Sequence, residues 1–461
     1  MTKKVIAVIL AAGEGKRMKS KKSKVLQQVG GRAMIDAVMD AAKGAGAQEM
    51  VVVVGHMADQ VASHVQGRAK CVYQNERLGT GHAVLQAKDY LKNFDGLVLV
   101  LCGDTPIITS DTLKKMIETH INDKNNGTFM TAIAEDPFAY GRIVRGEDGS
   151  VQKIVEEVDC NEEEAKIKEL NSGMYCFESK DLLMALDQLG NKNKQGEYYL
   201  TDTLEILNNN NKRCGAFVVG NFDETMGVND RTQLAIAEGI IRERCAEKHM
   251  RAGVSIIDPY STYISEDAVI GMDTVIYPGT IIEGGVKIGE DCVIGPNSRL
   301  TNSKIGNGVT INNTVVIDSS VGSKTKIGPF AYIRPGSKIG KEVKIGDFVE
   351  IKNSNIGDKS SISHLTYVGD SDVGRNVNIG CGVVFVNYDG QRKHRSNIGD
   401  NCFIGCNTNL VSPIQMGEGA FTAAGSTITE DVPDFALAIA RERQVNKLDW
   451  VKLKDRVRSE K

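Results

Sequence analysis

The sequence of 461 residues is poor in aromatic residues and proline, and it has no long apolar segment. Aromatic residues make up 5%, there are 9 prolines, and no run of 18 apolar residues occurs, so nothing predicts a membrane-spanning helix. An excess of charge is also lacking, because 56 Lys and Arg face 59 Asp and Glu. This balance disfavours a basic nucleic-acid binder, and 41% apolar residues disfavour disorder. We therefore expect neither a nucleic acid nor a membrane as partner.

The ten cysteines include no CxxC pair and no dense cluster, which disfavours a zinc site and a disulfide framework. Reduced thiols in the cytoplasm fit this distribution best. The first residues imitate a signal peptide, because lysines precede the apolar run 5–12. Charged Glu14, Lys16 and Arg17 follow at once, where a cleavage region is small and neutral. We interpret the run as a buried first strand of a soluble protein.

The segment 1–229 alternates short β-rich runs with longer helical stretches. This order predicts an α/β fold of the Rossmann-like type, with a mostly parallel sheet covered by helices. The strand candidates are 5–12, 50–55, 97–102, 128–134 and 173–177.

The stretch 231–251 predicts one amphipathic helix, which makes 230–251 a linker between two domains. Its predicted apolar stripe consists of Leu234, Ile236, Ala237, Ile240, Ile241 and Cys245.

A period of six residues begins after residue 252 and continues through most of 252–461. The series runs from Ile264 to Leu300, continues through Ile305, Ile311 and Ile317, and resumes at Val321 for several further coils. Such a period fits one side of a triangular parallel β-coil, whose aliphatic residues point inward. Coils stacked at about 4.8 Å give roughly nine turns and a rod on the order of 40 Å long.

Two segments interrupt or end this period. The polar stretch 387–396, NYDGQRKHRS, breaks the count and predicts a loop projecting from the rod, where a ligand site is expected. From Gly425 the count fades, and 446–461 form a polar tail.

The predicted first strand leads into LAAGEGKRMKSKKSKVL, residues 10–26. Gly13 and Gly15 permit a tight turn with backbone N–H groups facing an anion, and Lys16, Arg17 and Lys24 add positive charge. Neither the P-loop spacing nor GxGxxG is present, so an ATPase and a dinucleotide fold are not supported. The alternative is a solvated basic turn.

Two further motifs belong to the same predicted site. Gln74 offers an amide able to read a base edge, close to a Gly79–Thr80–Gly81 turn. Asp104 ends a buried strand, where open α/β sheets bind ligands and where one carboxylate suffices for nucleotide-bound magnesium. The alternative for Asp104 is a cap of the helix that begins near Thr109.

The motifs LAAGEGKRM, KVL, LGTGHA and GD followed by proline resemble those of the sugar-phosphate nucleotidyltransferases. Together with hexapeptide coils containing HLTYVGD and NVNIG, the chain resembles, from end to end, the bacterial bifunctional N-acetylglucosamine-1-phosphate uridylyltransferases/glucosamine-1-phosphate N-acetyltransferases. The resemblance implies a left-handed coil, acetyl transfer from acetyl-CoA followed by uridylyl transfer from UTP, and a homotrimer. It also implies a role in making precursors of peptidoglycan and lipopolysaccharide.

For the uridylyltransferase half, the resemblance implies catalytic roles for Arg17 and Lys24. It implies one Mg²⁺ held by Asp104 and Asn229. The residues that it implies for UTP and the N-acetyl sugar are Leu10, Ala11, Gly13, Lys24, Gln74, Gly79, Thr80, Gly141, Glu156, Asn171 and Asn229.

Acyl transfer to an amine requires a base, and histidine titrates in the suitable range. Two of the seven histidines, His364 and His394, lie in the coil domain; a lone histidine on a β surface can also be structural. The resemblance implies His364 as base, oriented by Glu350. The residues that it implies for glucosamine-1-phosphate and acetyl-CoA are Arg334, Lys352, Tyr367, Asn378, Cys381, Asn387, Tyr388, Cys406, Ala424 and Arg441.

The chain departs from the family pattern at five positions. Ser23 and Lys16 stand where the family usually has proline and often has threonine. Ser363, Cys381 and Cys406 stand in places commonly held by glycine, alanine and serine. A covalent thioester on Cys406 is an alternative to direct attack by the amine.

The residues alone leave three other functions open. The coil can be a noncatalytic module attached to a single-activity nucleotidyltransferase. It can belong to a metal-dependent hydratase with three histidines on zinc, which two histidines in the domain disfavour. The whole chain can be a scaffold, provided that the phosphate loop and Asp104 are incidental.

Overall fold

The computed structural model describes residues 3–135, 137, 140–452 and 454. The chain forms two compact units, which meet in the sequence between Ile241 and Arg242. This division falls inside one helix, Arg231–Arg251, in the segment that we expected to separate the domains. The end of the predicted polar tail, 455–461, lies outside the described residues.

The first unit is built on a sheet whose main path is β11-β7-β10-β6-β1-β4-β5, with β8 and β9 attached through β10. Along this path β10 is antiparallel to both neighbours, and the other neighbouring strands are parallel, which confirms the predicted mostly parallel sheet. Strands β2 and β3 form a separate hairpin. The strands are β1 (Val5–Ala11), β2 (Gln28–Val29), β3 (Arg32–Ala33), β4 (Glu49–Val54), β5 (Lys70–Tyr73), β6 (Leu97–Cys102), β7 (Gly127–Ile133), β8 (Arg142–Arg145), β9 (Val151–Val155), β10 (Glu169–Glu178) and β11 (Cys214–Val218).

Helices cover both faces of this sheet. The α-helices are α1 (Met34–Gly44), α2 (Ala58–Val65), α3 (Thr80–Leu85), α4 (Lys88–Leu91), α5 (Ser110–Asn122), α6 (Ser179–Leu186), α7 (Thr203–Asn209) and α8 (Arg231–Arg251). Short 3-10 helices lie at Lys16–Met18, Lys24–Leu26, Glu157–Asp159, Glu164–Lys166, Leu200–Asp202 and Phe222–Thr225. The stripe predicted for α8 is wrong at Ile236, which is 49% exposed, whereas Ala237, Ile241 and Cys245 are buried.

Strand β1 shows why the apolar runs become central strands. Its alternate residues enter two different cores, with Ala7 and Ile9 on one face of the sheet and Ile6 and Val8 on the other. A strand buried on both faces is apolar at every position rather than at every second one. The strand ends at Ala11, beside the end of β6, where Leu10 pairs with Cys102.

The second unit is a parallel β-helix of three sheets, as predicted from the six-residue period. The first sheet contains Ser255–Ile256, Val275–Ile276, Val293–Ile294, Thr310–Ile311, Lys326–Ile327, Lys344–Asp347, Ser361–His364, Asn378–Ile379, Phe403–Ile404, Phe421–Thr422 and Leu437–Ala438. The second contains Tyr263–Ile264, Ile281–Ile282, Arg299–Thr301, Val315–Ile317, Tyr332–Ile333, Glu350–Lys352, Tyr367–Gly369, Val384–Val386, Asn409–Val411 and Thr427–Ile428. The third contains Val269–Ile270, Lys287–Ile288, Lys304–Ile305, Ser320–Val321, Lys338–Ile339, Asn355–Ile356, Ser371–Val373, Ser396–Ile398 and Gln415–Met416.

The interior of the coil is a column of aliphatic side chains, in agreement with the predicted series except at one position. Ile311, Val321 and Ile333 are buried as expected, but Ile317 is only half-buried, and Val316 takes the inward position. The series therefore advances by two steps of five residues here, not by six and then four. Beyond the last predicted position, Leu410, the inward column continues through Met416 and Ile428.

The predicted loop at 387–396 leaves the second sheet after Val386 and rejoins the third at Ser396. Its base is held by an antiparallel bridge between Tyr388 and Lys393. None of the helices in the described part of the chain combines the length and apolar character needed to cross a membrane.

Candidate functional sites

The first candidate site lies at the carboxyl ends of β1 and β6. A Cβ added to Gly13 meets no atom within 4 Å, so the backbone there faces open space. Gly15 has a φ of 63°, and a Cβ on it would lie 2.7 Å from the Lys24 Cβ. Gly15 thus allows Lys24 to pack directly against the turn. Open backbone beside a lysine is what a phosphate group requires.

Lys24 joins the two predicted metal ligands. Its ammonium contacts the Asp104 carboxylate and lies 3.0 Å from the Asn229 Oδ1. The backbone also holds these segments together, because the Val228 N–H donates to the Asp104 carbonyl at 2.8 Å. The Lys24 side chain is 12% exposed, so the contact is largely shielded from solvent. Two oxygen donors from distant parts of the sequence therefore converge on one positive centre.

Asp104 does not cap the helix that begins near Thr109, which was the alternative interpretation of this residue. Helix α5 begins at Ser110, and its cap is Thr109, whose side chain accepts from the Thr112 N–H at 3.2 Å. Asp104 is left to contact Lys24.

Around this centre, Leu10 and Ala11 are the last two residues of β1. Leu10 is half-buried and Ala11 is buried. Arg17 is exposed, whereas its neighbour Lys16 lies 3.1 Å from Glu14. Glu14 also accepts from Arg77 at 2.5 Å. Among the described residues Arg17 forms no ion pair, unlike Lys16 and Arg77, so its charge remains open to a ligand.

The predicted base-reading residues form one connected turn. Gln74 is buried, and its Nε2 donates to the Gly79 carbonyl at 3.1 Å. Gly79 has a φ of 106°, and a Cβ there would lie 2.5 Å from the Tyr198 carbonyl oxygen, so only glycine fits. The Thr80 hydroxyl accepts from the Leu200 N–H at 3.1 Å. These bonds fix the turn in the first unit.

The predicted sugar residues are linked by hydrogen bonds. The Asn171 N–H donates to the Gly141 carbonyl at 2.8 Å, and its Nδ2 donates to the Tyr175 hydroxyl at 2.9 Å. The Glu156 carboxylate accepts from the Thr201 hydroxyl at 3.0 Å, and burial raises the pKa of Glu156.

The sequence reasoning missed Tyr140. Burial raises the pKa of this phenol, to which the Gly227 N–H donates at 3.4 Å, and the negative charge of Asp104 acts in the same direction. Its ring meets Phe222 edge-on at 6.0 Å. Tyr140 directly precedes Gly141, which the sequence analysis names, and this adjacency is the signal that could have identified it.

The second candidate site follows from the register of the coil. Asp347 pairs with His364, and Ile362, Ile379, Ile404 and Thr422 pair in succession along the same sheet. His364, Cys381, Cys406 and Ala424 each follow the corresponding one of these last four residues by two positions. These residues, with Asp347, therefore form one column along a corner of the coil, which we call the His364 column.

His364 makes a short hydrogen bond within this column. Its Nδ1 lies 2.7 Å from the Asp347 Oδ1, and this bond holds the pKa of Asp347 below its usual range. The expectation that Glu350 orients His364 is wrong, because Glu350 accepts from Arg334 at 2.6 Å instead. A carboxylate at Nδ1 favours the tautomer whose Nε2 is free to take a proton. The His364 side chain is 60% exposed, so a substrate amine can reach it.

Three cationic side chains lie near one another where strands of the second sheet end. The Lys352 ammonium lies 3.3 Å from the Asp370 carboxylate. Its positive charge is also close to Lys393 and lowers the pKa of Lys393. Arg334 adds to the same effect from a greater distance. Lys393 was not singled out from the sequence, although it lies in the predicted loop. Clustered cations are the expected surroundings of a phosphate group.

Asn387 and Tyr367 belong to the same network. The buried Asn387 donates from Nδ2 to the Asp370 Oδ2 at 2.5 Å and to the Tyr367 hydroxyl at 3.4 Å. Asn387 therefore connects the base of the loop to the carboxylate that also contacts Lys352.

The remaining predicted residues differ in exposure. Asn378 and Cys381 are half-buried, whereas Tyr388, Cys406, Ala424 and Arg441 are exposed. The Tyr388 hydroxyl donates to the Gly390 carbonyl at 2.7 Å. In the described part of the chain, no group of three or more His, Cys, Asp or Glu is placed to hold a metal.

Fold and sites together define a nucleotidyltransferase unit joined to a hexapeptide-repeat transferase unit. The nucleotidyl transferase family matches residues 6–223, and the bacterial transferase hexapeptide family matches 267–302 and 318–353. These matches agree with the two units of the structure.

Relatives extend this similarity over nearly the whole chain. The bifunctional protein GlmU of Acetivibrio thermocellus is 58% identical over 457 residues, 99% of both chains. Those of Caldanaerobacter subterraneus and Clostridioides difficile are 56% and 53% identical, and each match covers 97% of this chain and 97% and 98% of theirs. The chain belongs to the GlmU family of bifunctional proteins. It is a bifunctional transferase, which disfavours the reading of the coil as a noncatalytic module.

Proposed function

We propose that the chain makes UDP-N-acetylglucosamine in two steps. The coil transfers an acetyl group from acetyl-CoA to glucosamine-1-phosphate, and the α/β unit then transfers uridylyl from UTP to the product, releasing pyrophosphate. We assign the second reaction to residues 1–229, the first to 252–461 and the connection to 230–251. The carrying observation is that each unit has its own charged site, Lys24 with Asp104 and His364 with Asp347.

In acetyl transfer, the substrate amine attacks the thioester carbonyl, a C–N bond forms, and the C–S bond breaks. His364 Nε2 takes the proton from the amine and returns it to the departing thiolate. Asp347 holds Nδ1–H, so the ring is oriented and its positive charge is stabilised while it carries the proton. Arg334, Lys352 and Lys393 bind the phosphate, and Tyr367 and Asn378 contact the sugar.

Direct attack is favoured over a covalent thioester on Cys406. Cys381 separates Cys406 from His364 in the column, so the backbones of the base and of Cys406 lie two coils, or about 10 Å, apart. A nucleophilic cysteine needs its base within hydrogen-bond reach.

In uridylyl transfer, a phosphate oxygen of N-acetylglucosamine-1-phosphate attacks the α-phosphorus of UTP, and pyrophosphate leaves. A sugar phosphate is largely a dianion near pH 7, so the step needs alignment and charge neutralisation rather than a base. Arg17 and Lys24 supply positive charge, and the open backbone at Gly13 receives a phosphate. Leu10, Ala11, Gln74, Gly79 and Thr80 bind the nucleotide, while Gly141, Glu156 and Asn171 hold the N-acetyl sugar.

The residues present fit one Mg²⁺. Asp104 and Asn229 offer a carboxylate and an amide oxygen that already converge on the Lys24 ammonium, and hard oxygen donors of this kind suit magnesium. These two residues would hold the ion, which supplies neutralisation of phosphate charge when bound.

Acetyl-CoA is proposed to bind along the His364 column, in contact with Cys381, Asn387, Tyr388, Cys406, Ala424 and Arg441. We propose a homotrimer formed through the coils, a form of association to which flat-sided repeat rods are suited. Cytoplasmic localisation is supported by ten free cysteines.

One assay tests both activities. The protein is given glucosamine-1-phosphate, acetyl-CoA, UTP and Mg²⁺, and free thiol and pyrophosphate are measured separately. The proposal predicts release of both, with pyrophosphate depending on prior acetylation. Thiol without pyrophosphate, or pyrophosphate at full rate without acetyl-CoA, would contradict the proposed sequence.

A further inference from the structure

Two cysteines, Cys381 and Cys406, follow one another in the His364 column. Backbone hydrogen bonds flank them, from the Gly380 N–H to the Ile404 carbonyl at 2.8 Å and from the Asn407 N–H to the Cys381 carbonyl at 2.7 Å. The two residues are therefore held one coil apart, in matching positions of successive corners.

The spacing of the coil suits a bond between these thiols. Adjacent coils are about 4.8 Å apart, within the roughly 4.4–6.8 Å between Cα atoms that a disulfide spans. Neighbouring side chains of this column also reach one another, as the 2.7 Å contact of Asp347 with His364 demonstrates. A bond between the sulfurs requires no change in the register of the coil.

Exposure separates Cys406 from the other nine cysteines. Cys406 is exposed, and Cys381 is half-buried, as Cys71, Cys102, Cys160 and Cys214 are. Cys176, Cys245, Cys292 and Cys402 are buried. Burial raises the pKa of Cys102 and of Cys214 to about 12, so these two thiols resist forming the reactive thiolate.

We propose that Cys381 and Cys406 form a dithiol site that low-molecular-weight disulfides oxidise to a disulfide. The Cys406 thiolate attacks one sulfur of the small disulfide and releases one thiolate. The Cys381 thiolate then attacks the Cys406 Sγ and releases the second. Two protein thiols become one disulfide, the small disulfide is reduced to two thiols, and the two protons end on those thiols.

Because of where it would form, this disulfide should affect acetyl transfer; this expectation rests on the proposed acetyltransferase function. A disulfide between Cys381 and Cys406 closes two successive positions of the proposed acetyl-CoA groove, next to His364. Acetyl transfer should therefore be lost and should return on reduction. Uridylyl transfer should be unaffected, because its proposed residues belong to the other unit.

The test treats the full-length reduced protein with oxidised glutathione and blocks remaining thiols with N-ethylmaleimide. Mass spectrometry should find a peptide pair joined through Cys381 and Cys406 and lacking two hydrogens. Acetyl transfer in the same sample should fall at least tenfold and recover with dithiothreitol, while uridylyl transfer stays within twofold. Cys406→Ser, compared with its own reduced state, should lose this sensitivity, whereas Cys381→Ala should stop at a glutathione adduct on Cys406 because the second thiol is missing. Cys71→Ser should still form the joined pair and keep the sensitivity.

Three outcomes would overturn the proposal: a glutathione adduct on Cys406 with no joined pair, a disulfide between other cysteines, or full acetyl transfer in the joined protein. A reduced protein without acetyl transfer would instead contradict the proposed function. The peptide mass would still report whether the two cysteines join.

Discussion

At the scale of single residues, a histidine beside an aspartate is not in itself a catalytic signal. His64 and His394 also contact carboxylates, at 2.9 Å from Asp36 and 2.7 Å from Asp389. His364 differs because its column also contains three of the residues proposed for acetyl-CoA, Cys381, Cys406 and Ala424. Its role therefore depends on its neighbours along the coil.

The substitution Asp347→Asn tests how His364 is oriented. The amide cannot stabilise the positive ring as the carboxylate does, so kcat for acetyl transfer should fall on the order of 10²-fold. KM for both substrates should change little, since Asp347 is a positioning residue. Steady-state kinetics check this, with Glu350→Gln as a comparison that should mainly raise KM for the sugar phosphate. Equal effects of the two substitutions on kcat would contradict the assignment.

Asp202 provides a pH-dependent test at the same scale. Burial, aided by Glu205 and Glu156, raises its pKa to about 6, above the ordinary value of 3.8. The fold therefore prefers the protonated form, and this stability is lost as the pH rises through about 6. Asp202→Asn should raise the free energy of unfolding by about 1 kcal/mol at pH 8, after allowance for solvent screening of a half-buried group. Urea unfolding should show a smaller gain at pH 5, and a larger one there would contradict the account.

At the scale of elements, the turn after β1 and the short helix Lys24–Leu26 act together. Gly15→Ala places a Cβ at a φ of 63° and within 2.7 Å of the Lys24 Cβ, so Lys24 must shift from Asp104. Uridylyl transfer should fall on the order of 10²-fold, as expected when a charged group is displaced by about 1 Å. Acetyl transfer should be retained. Gly149→Ala, at a φ of 79° where a Cβ meets no atom within 4 Å, is the matched control in the separate assays; similar losses in both variants would argue against the packing explanation.

The strand Lys326–Ile327 tests the inward column of the coil. Ile327 is 2% exposed, so Ile327→Ala should lower the free energy of unfolding by about 2–5 kcal/mol. Lys326 points outward, and Lys326→Ala should change it by less than about 0.5 kcal/mol. Circular dichroism during urea unfolding measures both. Equal effects would show that the side chain does not fill the coil interior.

Elements also show how far the sequence predicted the structure. The buried strands and the coil were predictable because apolar runs and a six-residue period report burial directly. Strand β5 was missed because Lys70 and Tyr73 are exposed and no apolar run marks it. Ile317 was misplaced because two five-residue steps and a six plus a four span the same ten residues. Asp347 could have been found by counting back 17 residues from His364, the separation of Ile345 from Ile362.

At the scale of the whole molecule, the chain combines two kinds of site with different chemical demands. The α/β unit places positive charge and oxygen donors around open backbone, whereas the coil places a proton acceptor next to exposed surface. The family and the bifunctional character follow from similarity along nearly the full length. Contacts between side chains far apart in the sequence could not be predicted, because they follow from tertiary packing, as the Lys24–Asn229 contact does.

The two proposed sites should work independently of each other, and one pair of variants tests this independence. Uridylyl and acetyl transfer are assayed separately in Arg17→Ala and His364→Ala. Arg17→Ala should lose uridylyl transfer on the order of 10²-fold or more and keep acetyl transfer, because it removes charge from the phosphate site only. His364→Ala should lose acetyl transfer by about 10²–10⁴-fold and keep uridylyl transfer. Loss of both activities in either variant would contradict the account.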